Sequence, residues 1–507
     1  MFRHFNVDPA ESHSAKRLCV TLYVILAAIT LSPLLWVRDP PLVDYPNHLA
    51  RIWILMHSKE IPELAANYIV HWRILPDLAI DLVVSLLSWV LPVEQAGRVF
   101  IASTMLMLIG GTVTLHRVLY GRLEIWPICS VLFIYNAALF WGFVSCLFST
   151  GIYLFAFSGW IASQHWRAAP RLLIFSAIAS LILLLHLFAF GLYCLSVATY
   201  ELARRIDRRR LPLRSLVGWG AVCLQFVPGV ALWYASLAQG GSTLTFYGGW
   251  VFKLYAMMSP FAFGAQLTVF DLLIGLLTCL FVIFAIKSGS LQLSDQMRLP
   301  LAVMLLVALL MPHRVNGSAF ADMRLPVALP FLIIASTRFE VSNERAVATV
   351  AGAAFVVLGL RDWTISQAWY DYDRWFSEFR SASAVLAPGA RLLVVEAPIP
   401  EQQQLPGVPA SLATVQWRSF THMPALAVID RAAFFPYMFT GWYTIDVAPR
   451  NQAVAHTEGV PMTPEQLIKS ADPEEAKSLD IRPDAVGVLP YWRNWWETFR
   501  FRPLDGF

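Results

Sequence analysis

Residues 125–162 read IWPICSVLFIYNAALFWGFVSCLFSTGIYLFAFSGWIA, without a single Asp, Glu, Lys or Arg. A helix crosses a bilayer with about 20 apolar residues. The stretch is too long for one crossing and reads as a helical hairpin turning near Trp141 and Gly142. The rest of the chain agrees with it. Of 507 residues, 57% are hydrophobic and only 14% are charged, where a soluble domain carries about 25% charged residues. Mean hydropathy is +0.57. This composition excludes a soluble enzyme, a disordered chain and a disulfide scaffold, and it makes the chain a polytopic α-helical membrane protein. A net charge of +4 gives no support to a nucleic-acid partner. The cysteines Cys19, Cys129, Cys146, Cys194, Cys223 and Cys279 lie in or beside apolar blocks with no CxxC pair, so they read as small packing residues.

Eleven stretches are long or apolar enough to be spans: 18–37, 77–93, 99–116, 125–142, 144–162, 171–203, 215–237, 267–287, 299–312, 325–337 and 346–361. The first follows Arg3, Lys16 and Arg17, runs longer than a signal-peptide core and has no cleavage site. It reads as an uncleaved span with a cytoplasmic N-terminus. Arg204, Arg205, Arg208, Arg209, Arg210 and Arg214, against one Asp207, mark a cytoplasmic loop. Six crossings reach that loop on the correct side when 171–203 is taken as one span. The loops Lys287–Arg298 and Arg338–Arg345 then fall inside as well. Arg117 and Arg122 fall outside, against the rule.

On this scheme residues 1–361 form the transmembrane domain, with an outer first loop at 38–76. Residues 362–507 form a small extracytoplasmic α/β domain, in which Pro, Trp, Asp and Glu replace the long apolar runs. Within it Arg391–Glu396 and Ala425–Ile429 read as buried strands, and Trp369–Leu386 and Pro464–Leu479 as helices. The scheme suits a bacterial inner-membrane protein with a periplasmic C-terminal domain. No internal repeat is visible, which argues against a transporter of duplicated halves.

The few charges cluster. After the first span comes Arg38-Asp-Pro-Pro-Leu-Val-Asp-Tyr-Pro-Asn-His-Leu-Ala-Arg51. Pro46 suits the first turn of a helix, on which His48 and Arg51 share a face and Asp44 stands just before it. Asp44 can then take a proton from an acceptor while His48 or Arg51 orients or balances it. The plainer alternative makes Asp44 a helix cap and the others interfacial residues. A second cluster, with Asp39 and Asn316 as possible supports, is His313-Arg-Val-Asn-Gly-Ser-Ala-Phe-Ala-Asp-Met-Arg324. Arg324 opens a span on the same side as the first loop, where a guanidinium can hold a lipid phosphate; snorkelling at the interface is the plainer alternative. His186 reads first as a hydrogen-bonded core histidine, and Glu94 with Arg98 as a local ion pair. Trp492, Trp495 and Trp496 read as packing or surface anchors. There is no P-loop, Rossmann fingerprint or HExxH motif.

Together these features resemble the GT-C superfamily of integral-membrane glycosyltransferases, in the branch of the protein mannosyltransferases and lipid A aminoarabinose transferases. The likeness rests on Asp44-Tyr-Pro-Asn-His48 after the first span, on Val93-Glu-Gln-Ala-Gly-Arg98 and Leu119-Tyr-Gly-Arg122, on Met323-Arg-Leu-Pro-Val-Ala-Leu-Pro330, and on the C-terminal outer domain. It implies a polyprenyl-phosphate sugar donor and transfer, typically with inversion, to a lipid, polysaccharide or protein acceptor on the outer face. It implies Asp44 as base, assisted by His48, and Arg324 at the donor phosphate, with Arg51 and His313 as further phosphate ligands. Where the family usually pairs acidic residues, this chain has Asp44 with Asp39 five residues earlier. Without a DxD pair in the first loop no metal is expected, and no cofactor. Two other classes remain open: a flippase for a lipid-linked glycan, marked by ionisable residues deep in several spans, and a non-catalytic envelope-assembly protein, marked by tolerance of substitutions at Asp44, His48 and Arg51.

Overall fold

The computed structural model describes residues 13–205, 213–237, 245–262, 269–315, 318–340, 344–394, 419–441 and 443–455. They fall into two compact units. The first holds the chain up to Asp44 and Ile74–Trp375; the second holds Tyr45–Arg73 and the described chain from Phe376 onward.

The first unit is helical and apolar. Among the described residues, Val93–Tyr120, Val144–His165, Ala168–Leu185 and Ser215–Leu237 are long and apolar enough to cross a membrane, and Cys19–Leu35 and Trp126–Trp141 are shorter apolar segments. Leu173, Leu181, Val217, Tyr234, Leu277 and Phe284 lie exposed on these and neighbouring helices. A helix apolar all round is at home in lipid, and so much exposed apolar surface would aggregate in water. These are the marks of a helical membrane protein. The most buried of the long helices is Val144–Ala162. It meets Val93–Tyr120 through small residues: a Cβ at Gly151 would lie 2.6 Å from Met107 Cβ, and one at Gly111 would lie 2.7 Å from Leu154 Cβ. Glycines let helix backbones approach this closely in a membrane.

The expected count of 11 spans is not reproduced. Four helices among the described residues are long and apolar enough to cross, 125–142 splits into a 3₁₀ helix Trp126–Phe133 and a short helix Ala137–Trp141, and two further spans change form. Residues 171–203 are not one span. They form two helices, Ala168–Leu185 and Leu187–Arg205, parted by His186 in an extended conformation (φ −169°, ψ 128°). The helices fold back on each other, because Arg171 near the start of the first lies 3.6 Å from Glu201 near the end of the second. The break is held by long-range bonds, with Leu78 N–H donating to Leu184 O and Leu187 N–H to Pro76 O. No Gly or Pro marks it, so hydropathy alone cannot see it. The other exception is 77–93, which holds only the helix Ala79–Leu87. At 1.5 Å per residue it is about 13 Å long, against about 30 Å of hydrocarbon.

Loop positions change accordingly. Arg122 pairs with Glu124, which also meets Arg338 at 2.9 Å and His116 at 3.3 Å. Tyr120 donates to Ser336 O, and Tyr200 to Gln296 Oε1. The Arg117–Arg122 loop therefore shares one end of the unit with the two loops from which it was expected to be separated. Arg171, Arg204 and Arg205 gather around Glu201 at that same end. Glu94 and Arg98 belong to the opposite end, where Glu94 pairs with Arg38 at 2.7 Å and Arg98 donates to Val37 O.

The second unit is built on the amphipathic helix Tyr45–His57, which carries Pro46 in its first turn and buries Leu49, Ala50, Ile52 and Ile54. Its core adds Leu64, Tyr68, Val428, Phe434, Phe435 and Ile445. Strand Tyr68–Val70 pairs antiparallel with Ile445–Val447, Tyr68 opposite Val447. The expected strand Ala425–Ile429 is instead part of a buried helix, Leu426–Arg431. A short apolar run buried on all sides looks the same for helix and strand. Arg391–Glu396 is described as far as residue 394, where a single bridge joins Arg391 to Phe434. The expected helix 369–386 is the last part of a longer one, Glu344–Ser383. Pro464–Leu479 and the tryptophans 492, 495 and 496 lie outside the described residues.

Candidate functional site

At the end of the first unit away from the arginines, backbone bonds dock the first loop. Val43 N–H donates to Phe140 O and Asp44 N–H to Trp141 O. The chain turns next to them at Gly142, with φ +88°. A Cβ there would lie 2.8 Å from Asp44 N and 3.0 Å from Asp44 Cβ. Only glycine meets both demands, the positive φ and the close approach. Gly142→Ala is expected to displace Asp44 and, on the glycosyl transfer that the resemblance implies, to slow turnover on the order of 10²-fold, as for a misplaced reacting group, while the purified protein stays folded. An unchanged turnover would show that Asp44 needs no such seat.

Arg324, in the helix Ala321–Ser336, stacks over the rings of Phe143 and Phe188 at 4.7 Å and 4.8 Å. Its Nη2 reaches Ala319 O at 3.4 Å, and its buried Nε has no hydrogen-bond partner. It makes no ion pair among the described residues. The carboxylate two positions earlier is already engaged: Asp322 meets Lys253 Nζ at 3.4 Å and His313 Nδ1 at 3.1 Å. Before this helix Phe320 holds a left-handed backbone, φ 54°, which costs a non-glycine residue about 1–2 kcal/mol. Its ring is packed 4.5 Å from Trp141 and 5.0 Å from His313.

Phe188 brings a further pair. Its N–H donates to His186 Nδ1 at 3.2 Å, which places the ring proton on Nε2, 4.0 Å from Asp77 Oδ1. The apolar surroundings of His186 in the sequence suggest a core histidine. Only the helix break and the loop packed against it reveal a histidine–carboxylate pair beside Arg324. Lys253 and Asp322 were likewise not singled out. Asp322 lies within the quoted segment, but Lys253 is distant in sequence and no local signal joins it to the cluster.

The expected residues distribute as follows. Asp44 and Arg324 are linked through Gly142 and Phe143, and His313 is bonded to Asp322. Asp39 is 2% exposed, and its N–H, like that of Arg38, donates to Asp373. Asn316 lies outside the described residues. The boundary between the units falls between Asp44 and Tyr45, so His48 and Arg51 belong to the second unit.

There both are buried. Arg51 sits 4.5 Å over the ring of Tyr443, and His48 meets Phe439 edge-on at 5.5 Å. Asn47 ties the group together. Its Nδ2 donates to Tyr437 O at 2.8 Å and to His422 Nδ1 at 3.1 Å, and its Oδ1 accepts from Phe439 N–H. Burial, with Arg51 and His422 nearby, holds the His48 pKa well below the usual imidazole range. Burial alone pushes His422 down to about 4. Both rings are therefore neutral in the folded state at pH 7. The unfolded chain takes up protons below about pH 6.5 while the folded one does not, so stability is lost as pH falls from there toward 4. His422 alone accounts for about 3 kcal/mol at 1.36 kcal/mol per unit. The thermal midpoint is expected to drop steeply across this window and less steeply in His422→Gln; equal slopes would contradict a buried neutral His422.

Among the described residues no three His, Cys, Asp or Glu side chains gather closely enough to hold a metal ion. No family model matches the chain, and neither a curated protein nor a solved structure matches it.

Proposed function

We propose that the chain is a membrane glycosyltransferase that moves a sugar from a polyprenyl-phosphate donor to an envelope lipid, polysaccharide or protein acceptor on the extracytoplasmic face. The observation that carries this reading is Arg324, a partly buried guanidinium without a carboxylate, held between two aromatic rings and linked through Phe143 and Gly142 to the seat of Asp44. A cation so placed suits an anion, and a lipid-linked phosphate is the anion available at a membrane surface.

The positive-inside rule gives the orientation. With Arg117, Arg122, Arg171, Arg204, Arg205 and Arg338 at one end, that end is cytoplasmic and the Asp44–Arg324 end is extracytoplasmic. The two altered spans offset each other in this count: with 77–93 dropped and 171–203 counted twice, Arg204 and Arg205 keep the cytoplasmic side in this reading.

In the reaction, Asp44 accepts the proton of the acceptor hydroxyl. The freed oxygen attacks the anomeric carbon from the face opposite the phosphate. The bond from that carbon to the phosphate oxygen breaks, and its electron pair leaves with the polyprenyl phosphate, whose growing charge Arg324 stabilises. Asp77, 4.0 Å from His186 Nε2, supplies a carboxylate near this site. The test is a comparison by mass spectrometry of envelope lipids and glycans from strains with and without the chain. A product lighter by one sugar in the deletion strain is expected; identical glycan masses would refute glycosyl transfer.

A further inference from the structure

A cavity of about 1170 Å³ lies at the arginine-rich end of the first unit, far from the loops that seat Asp44. It exceeds the range of about 300–1,000 Å³ usual for small-molecule sites. One part of its wall is apolar, formed by Leu22, Leu26, Ile128, Leu132, Phe355 and Leu358. The other part carries Arg122, Glu124, Gln292, Arg338 and Glu340. Such a division suits an amphiphile, with hydrocarbon against the first part and a polar head against the second.

The charges narrow the choice of head. Two guanidiniums and two carboxylates balance, and they alternate: Arg122 pairs with Glu124, Glu124 with Arg338, and Arg338 with Glu340. Glu124 is saturated by Arg122, Arg338 and His116. Arg122 is half-exposed and commits only its Nε, leaving both terminal nitrogens as donors. Glu340 is 43% exposed at the other end of the row; its Oε1 meets Arg338 and its Oε2 accepts from Gln292 Nε2 at 3.2 Å, each oxygen keeping a second lone pair for an ammonium. A head carrying one phosphate and one ammonium finds a cation and an anion there. A head of net negative charge would add an uncompensated charge to this balanced row. The depth is also that of a lipid head: Trp126 lines the cavity, with its indole N–H bonded to Ile334 O and Thr337 Oγ1, as tryptophans sit at membrane interfaces.

We infer that this cavity binds one zwitterionic, amine-bearing phospholipid, its phosphate on Arg122 and its ammonium on Glu340. The inference is independent of sugar transfer. It is tested by native mass spectrometry of the detergent-purified full chain, incubated with phosphatidylethanolamine or phosphatidylglycerol of matched acyl chains. Two variants are compared with the natural chain. In Gly352→Trp, the new Cβ meets no heavy atom within 4 Å, so the indole can enter the cavity without moving the backbone. In Arg122→Glu, a half-exposed cation is reversed. One phosphatidylethanolamine per chain is expected, retained at least about tenfold better than phosphatidylglycerol and lost at least about tenfold in each folded variant. Equal retention of the two lipids, many weakly held copies with no saturation, or undiminished retention in Arg122→Glu would overturn the site, whether or not Gly352→Trp folds.

Discussion

Asp44→Asn is expected to abolish transfer, lowering turnover by 10²–10⁴-fold, the usual contribution of a positioned general base. The change keeps the size of the side chain and leaves the bond from Asp44 N–H to Trp141 O in place. It removes the negative charge and with it the ability to accept a proton. Donor binding should hardly change, because the phosphate is assigned to Arg324. The measurement is single-turnover transfer by purified protein, with the donor dissociation constant taken separately. Turnover within a few-fold of the natural chain would end the role of Asp44 and leave the site with Asp77–His186 as its remaining base.

Arg324→Ala should act on both binding and rate. In the proposed reaction the guanidinium faces the donor phosphate in the ground state and the fuller charge on the leaving phosphate in the transition state. Removing one such donor commonly costs 10²–10³-fold in rate. Arg324→Lys separates charge from shape. Lysine keeps the cation but loses the flat group that stacks between Phe143 and Phe188. Partial recovery in the lysine variant is expected, with donor affinity restored more than rate. Unchanged donor affinity in Arg324→Ala would remove the phosphate from this residue and with it the main support for the proposed chemistry.

Much of this site is legible in the chain, though unevenly. Asp44 and Arg324 stand out because charge is scarce in so apolar a sequence, and Gly142 because it interrupts a long uncharged run. His186 and Lys253 do not stand out. Each is a single polar residue with apolar neighbours, and its partner, Asp77 or Asp322, lies 69 or more residues away. The helix Tyr45–His57 is legible from Pro46 and its apolar spacing. That it serves as the core of a unit completed by residues after 376 is not, since its partners, Phe434, Phe435 and Ile445, are far along the chain.

The sequence by itself determined the apolar solvent of this protein and which of its loops carry the arginines. Both are sums over many residues, of apolar length and of positive charge, and they survive local error. That is why misread spans leave unchanged both the apolar character and the gathering of Arg171, Arg204 and Arg205 at one end of the first unit. Only the tertiary structure decided where helices break and which polar groups meet. The break at His186 is stabilised by backbone bonds from residues 76–78, not by any residue within the run. Such bonds form only when distant segments are already packed together, so neither the break nor the Asp77–His186–Arg324 neighbourhood it creates has a local sequence signature.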